Sequence, residues 1–241
     1  MVTLKMAIIF LMEQIRTPFS LIWIIMSPTV LFFFLHFNEI ELHYGDTAWL
    51  GKQISWFVGY ISFSVVLFNY CLYLVGRRES GFIATFVHNM DGRLLFIRSQ
   101  LIASLIMSIL YVFFFILVVL TGFQASPDYQ IVMIILKSIY INAFMMVSLT
   151  FMASFRVTFQ TASTIYSVLI TVCMVSGIVS LKYNEGIVYW INQVNPIAIY
   201  STILQSDQEL SLMTIFFYSI MLIISIISAL TFKTEPVWSS Q

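Results

Sequence analysis

The sequence predicts an all-α membrane protein. It has six transmembrane helices, an N-terminal helix on the inner surface, and short re-entrant outer helices between spans five and six. Three observations predict this. Hydrophobic residues make up 60% of the 241 and charged residues 9%, against about 45–50% and about 25% in ordinary soluble proteins. Six apolar runs approach the roughly 20 residues that carry a helix across a bilayer, where lipid offers the backbone no hydrogen-bond partner. Lys and Arg concentrate on alternate sides of those runs.

The spans read as roughly Pro18–Phe37, Ile54–Val75, Leu101–Leu120, Ile131–Phe155, Ser163–Leu181 and Leu210–Phe232. Residues 1–17 precede them. Met6–Met12 is too short for the core of a secretory signal, and no small-residue cleavage site follows. At about 100° per residue, Lys5, Glu13 and Arg16 fall in one polar sector, as in a helix lying on a membrane surface. Thr17-Pro18 then breaks it and opens the first span. A plain extension of that span is the alternative. Pro28 should kink the first span.

Residues 18–241 form the six-span domain. On the expected inner side lie Lys5, Arg16, Arg77, Arg78, Arg93, Arg98, Arg156 and Lys233; on the other side lie Lys52 and Lys182. The positive-inside rule then makes both termini cytoplasmic; a bacterial plasma membrane is the expected location. Seven of the eleven acids fall on the outer side. The long inner loop covers 76–99. The outer segment 182–209 is oddly apolar, with two short stretches hinged about Asn195-Pro196. Neither stretch can span, so they suit a re-entrant or interfacial pair.

Several function classes fall away. Net charge is zero and no basic stripe exists, so nucleic-acid binding has no support. Cys71 and Cys173 sit in different spans and read as small apolar residues. No Cys/His cluster has metal-ligand spacing, and no serine–histidine pair lies on facing spans. Gly45 to Gly51-Lys52 misses the phosphate-loop spacing by one residue, and Gln53 replaces its Ser or Thr. The chain is therefore expected to be non-catalytic, with no cofactor or metal of its own. No acid lies in a span, which disfavours ion coupling.

The polar residues inside spans are few. Lys137 is the only charge there, and it costs up to about 2.5–3.5 kcal/mol at midplane. It either snorkels to the outer headgroups or faces an inter-subunit cavity. Asn69 and Asn142 read first as helix–helix hydrogen-bond partners, and otherwise as part of a pathway.

Two segments carry a resemblance. Arg77-Arg78-Glu79-Ser80-Gly81 leaves the second span, followed by Phe82–Met90 and Asp91-Gly92-Arg93. Trp190, Asn195-Pro196 and Tyr200 mark the outer segment. Together they resemble the membrane subunit of ATP-binding-cassette exporters of the type-2 permease family, over nearly the whole chain. The first segment is similar to the family's Arg-Glu-x-x-Gly segment, one residue shorter, and the second to its Asn-Pro-hydrophobic-x-x-aromatic segment. The resemblance implies that Arg77, Arg78, Glu79, Gly81, Phe82, Phe86, Asp91 and Arg93 belong to a loop contacting an ATPase. It implies an outer gate at Trp190, Asn195, Pro196 and Tyr200, and a pathway past Lys137, Asn69 and Asn142. The implied partners are two nucleotide-binding subunits, which hold ATP and magnesium, a second permease chain, identical or related, and membrane lipids.

The residues agree with a docking loop. Phe82, Ile83, Phe86 and Val87 share one apolar face that a partner groove could accept; a loop packing under its own bundle is the alternative. Glu79 reads as the strut that orients this face. Forty aromatics and 13 Met suit an apolar, adaptable pathway. The expected substrate is hydrophobic or amphipathic, first a peptide such as a toxin or bacteriocin. Rival readings are a self-protection or sensing module against antimicrobial peptides, and an ion-coupled carrier.

Overall fold

The computed structural model describes residues 2–16, 18–83, 89–180, 185–205 and 212–232. Among these the chain is all helical, with no strand. The helices are α1 (Val2–Ile15), α2 (Pro18–Leu35), α3 (Thr47–Glu79), α4 (Met90–Gly122), α5 (Tyr129–Ser148), α6 (Thr150–Ser154), α7 (Phe159–Ser180), α8 (Gly186–Val194), α9 (Pro196–Gln205) and α10 (Leu212–Leu230).

Four helical stretches are long and apolar enough to cross a membrane: α3, α4, α5 with α6 (Tyr129–Ser154), and α7. α2 and α10 contain shorter apolar stretches, Ile24–Leu35 and Thr214–Leu230. The surface agrees with lipid as solvent. Phe113, Phe114 and Leu117 on α4, Val168, Val172 and Val175 on α7, and Phe216, Ile223 and Ile227 on α10 are exposed. Gln100, Ser104, Ser108, Asn142 and Thr150 are buried. A water-soluble globule arranges these classes the other way round. The protein is a multi-pass membrane protein by this pattern.

The helices run further than their apolar cores. α3 and α4 have 33 residues each, about 50 Å at 1.5 Å per residue, against a hydrocarbon core of about 30 Å. The expected loop 76–99 is therefore helical over 76–79 and 90–99, and its middle, residues 84–88, lies outside the described residues. α3 ends with Glu79. Gly81 follows at φ +73°, its N–H donating to the Arg78 carbonyl at 3.0 Å. Only glycine takes that left-handed position at no cost, which explains the glycine of the Arg-Glu-x-Gly segment.

α1 ends at Ile15 and α2 begins at Pro18, as the Thr17-Pro18 break predicts. α1 lies along α4: Phe10 meets Phe96 edge-on at 5.3 Å, and the Ser99 hydroxyl donates to the Thr3 carbonyl at 3.1 Å. Its exposed side carries Ile8, Ile9, Met12 and Ile15 together with Lys5, and Arg16 just beyond the helix is exposed as well. Glu13 pairs with Arg77 and Tyr73. Pro28 stands inside α2 without ending it. The Thr29 hydroxyl beside it donates to the Ile25 carbonyl at 2.6 Å.

α3 is the central helix. Its stretch Val65–Leu72 is π-helical, a widening often found at functional sites. α9 lies against α3 at Gly59, where an added Cβ would stand 2.8 Å from Tyr200 Cβ and 2.9 Å from the Ile197 carbonyl oxygen. The chain is interrupted at Leu149 between α5 and α6. Ser225 of α10 seals the gap: its hydroxyl donates to the Ser148 carbonyl at 2.5 Å and accepts from the Phe151 N–H at 3.2 Å.

Among the described residues, Arg77, Arg78 and Arg93 gather at one end of the bundle. Arg77 and Arg78 lie with Glu13 and the 153–157 turn, and Arg93 reaches the Leu230 carbonyl at 3.4 Å. At the opposite end, Gly45 N–H bonds the Phe123 carbonyl and the Thr47 hydroxyl bonds Asp128. These are called the arginine end and the acidic end below.

Candidate functional site

At the arginine end, the side chain of Arg78 is 1% exposed. Nη1 donates to the Ala153 carbonyl at 3.1 Å, and Nη2 to those of Phe155 and Val157 at 2.9 and 3.0 Å. The planar fork of five donors suits such a cluster of carbonyls. It moors the end of α3 to the turn joining α6 and α7. Arg77 pairs with Glu13 and lies over the rings of Tyr73 and Phe82, 5.0 and 4.8 Å from their centroids. Tyr73 donates to Glu13 at 2.6 Å, so this cluster also ties α1 to α3.

The carboxylate of Glu79, the expected strut, stands 3.9 Å from Arg78 Nε, beside the arginine that makes the crossing bonds to the 153–157 turn. Phe82 is partly buried beneath Arg77 and Ile83 is fully buried. That half of the expected docking face packs on its own bundle. Phe86 and Val87 lie outside the described residues. Asp91 is exposed in the first turn of α4, which Asn89 caps by accepting from Gly92 N–H at 2.9 Å.

Within the bundle, two of the residues assigned to a pathway, Asn69 and Asn142, are engaged in ties between helices. Asn69 Nδ2 donates to Tyr111 at 3.2 Å. The backbone carbonyl of Asn69, in the π-helical stretch, accepts from Gln100 at 2.6 Å, Ser104 at 3.0 Å and Gln14 at 3.5 Å. Asn142 donates to Ser108 at 2.8 Å and accepts from Tyr200 at 2.6 Å. Lys137 lines a cavity nearer the acidic end. The α4 partners were missed in the sequence, although Gln100, Ser104, Ser108 and Tyr111 recur at helical spacing on one face.

At the acidic side of the seam, α8 and α9 meet at Asn195, which is extended (φ −70°, ψ 116°). Its side chain accepts from Ile197 N–H at 3.0 Å, capping α9. Its amide donates to the Cys173 carbonyl at 2.8 Å and the Ser176 hydroxyl at 3.1 Å on α7. Pro196 takes the first position of α9, where no N–H is needed. Tyr200 is buried and Trp190 exposed. The four residues expected at a gate are thus brought to one broken helix pair, with Trp190 on its open side.

Outside the spans, Asp46 caps α3. The Trp49 backbone N–H, and then the His43 side chain, hold its carboxyl below the ordinary value. The His43 ring stacks on Trp49 at 4.2 Å. Among the described residues no group of three His, Cys, Asp or Glu is placed to hold a metal. No family model matches the chain, and no solved structure matches it.

Proposed function

We propose that the chain is the permease subunit of an ATP-binding-cassette exporter, working as a dimer with two separate nucleotide-binding subunits. α2, α3, α4, α5–α6, α7 and α10 are its six spans. α1 lies on the cytoplasmic surface, and α8 and α9 re-enter from the outer side. The supporting observation is the pairing of two irregular features at opposite ends of one bundle. At the arginine end, α3 finishes in Arg77–Gly81 moored to the next inner turn. At the other end, a broken helix pair is clamped to α7 and packed on α3.

In this reading the ATPases grip the segment between α3 and α4, and their closure moves α3 against the 153–157 turn through Arg78. α3 carries the motion to Gly59, where α9 rests directly on it, and so to the outer gate. The two helices are coupled because contact at that glycine leaves no room for independent sliding. The cargo is an amphipathic or hydrophobic molecule, first of all a peptide.

Topology is checked by cysteine labelling in intact cells. Cysteines at Asp46 and Asp128 should react from outside, and those at Arg93 and Arg156 only after permeabilisation. The two native cysteines are buried, so they give little background. External labelling at position 93 overturns the orientation.

Coupling is checked in the complex with its nucleotide-binding subunit. Glu79→Ala and Phe86→Ala should leave the permease inserted and dimeric. Export and substrate-stimulated ATP hydrolysis should each fall several-fold, and Arg156→Ala should do less. Equal loss in all three variants removes any special role of the 79–86 segment. A chain that never co-purifies with a nucleotide-binding subunit sinks the reading altogether.

A further inference from the structure

α1 is fixed to the bundle along its inner side. The Thr3 carbonyl accepts from the Ser99 hydroxyl. Phe10 meets the rings of Tyr73 and Phe96 at 5.6 and 5.3 Å, and Glu13 pairs with Arg77 and Tyr73. These partners set the level of α1. Arg77 and Tyr73 stand two and six residues before Glu79, where α3 ends. Phe96 and Ser99 stand six and nine residues after Met90, where α4 begins. At 1.5 Å per residue, α1 crosses its neighbours roughly 3–14 Å from their ends. Helices of about 50 Å overhang a hydrocarbon core of about 30 Å by roughly 10 Å at each end. α1 thus lies where the bundle passes from lipid tails to head groups.

The side of α1 turned away from the bundle carries two kinds of residue. Leu4, Ile8, Met12 and Ile15 are 43–57% exposed, an apolar surface that water does not favour. Lys5 is exposed among them, and Arg98 is exposed on α4 next to the Ser99 tie. Among the described residues, the ion pairs at this end join Glu13, Arg77, Arg78 and Glu79 and leave out both cations. Asp91, exposed on α4, stands seven residues before Arg98, about 10 Å further from the hydrocarbon core. An apolar helix face flanked by cations at that level is complementary to an anionic leaflet.

We infer that α1 and the start of α4 form a docking surface for anionic phospholipid in the leaflet at the arginine end. The apolar residues of α1 enter the boundary of the acyl region, and Lys5 and Arg98 hold head-group phosphates. The inference rests on the reading of α1 as a surface helix and adds the lipid class that this helix selects. It needs no ATPase.

The test uses the purified full chain in phosphatidylcholine bilayers, with spin-labelled phosphatidylglycerol or spin-labelled phosphatidylcholine as the guest. Phosphatidylglycerol should be preferred. Lys5→Gln and Arg98→Gln should each lose about fivefold of the preference, and the double variant nearly all of it. Lys5→Arg should retain it. Arg156→Gln, which removes an exposed charge from the 153–157 turn, should change it less than about twofold. Lys5 and Arg98 are exposed, so the inner ties of α1 remain in these variants. In a separate sample, a nitroxide on Ile8→Cys reports the level of α1; the native cysteines are buried. It should be reached by oxygen and shielded from a water-soluble nickel chelate. Equal association of the two lipids, a preference unchanged in Lys5→Gln and Arg98→Gln, or an equal loss in Arg156→Gln overturns the inference. A shielded label then still keeps α1 on the membrane surface. A label open to the chelate removes α1 from that surface, and the inference with it. Displacement of phosphatidylglycerol by inorganic phosphate at fixed ionic strength overturns the assignment to lipid.

Discussion

Arg78→Ala is expected to destabilise the folded protein by about 3–5 kcal/mol, the scale for removing one partner from a buried charged network. The side chain is 1% exposed and satisfies three carbonyls of the 153–157 turn at 2.9–3.1 Å. Truncation leaves those carbonyls facing a small void with no donor, and each hydrogen bond to a charged group is worth about 1.5–3 kcal/mol before non-additivity. Arg78→Lys should recover only part, because an ammonium cannot reach three acceptors set around a planar fork. Arg77→Ala is the comparison. Its pair with Glu13 is partly exposed, with side-chain exposures of 22% and 44%, so the loss should be less than about 1 kcal/mol. Equilibrium unfolding in mixed micelles measures both. A cost for Arg78→Ala no larger than that for Arg77→Ala would refute the mooring.

The contrast between these two arginines shows what the sequence could convey. Adjacent arginines at a span exit marked the place, and the structure puts the cluster there. Their different roles depend on where α3 turns each side chain and on a turn 75–79 residues away, which no local pattern encodes. Breaks were legible because proline removes a donor and restrains its predecessor: α1 stops before Pro18, and α8 and α9 divide at Asn195-Pro196. Four membrane-length helices were legible from hydropathy, but their ends were not, since hydropathy reports the hydrocarbon stretch and helices continue past it. The π-helical stretch has no compositional mark, because VVLFNYCL reads like any apolar helix. The α4 polar stripe was legible in principle, yet its serines are individually unremarkable in a membrane span. Asn69 and Asn142 stood out because an amide in lipid needs a partner, and each has found one.

The outer hinge gives the second large effect. The sequence places the break at Pro196, but the geometry gives the holding to Asn195. Asn195 is 3% exposed. Its oxygen caps α9 through Ile197 N–H, and its amide bonds Cys173 and Ser176 on α7. A lost cap costs about 1 kcal/mol, and each of the two further bonds about 0.5–1.5 kcal/mol. Asn195→Ala should therefore cost about 2–4 kcal/mol in mixed-micelle unfolding. Pro196→Ala should cost less than about 1 kcal/mol, because it restores only an N–H that the first helical turn leaves free and relaxes the unfolded chain. Cys173 supplies a local readout. Its carbonyl receives the Asn195 amide and its thiol is buried, so release of α8 and α9 from α7 should expose it. Maleimide labelling of Cys173 should rise in Asn195→Ala while Cys71 of α3, buried with its thiol on the Leu149 carbonyl, stays protected. If Pro196→Ala proves the more damaging change, or Cys173 stays unreactive in Asn195→Ala, then Asn195 does not clamp the pair and the proline itself holds the hinge.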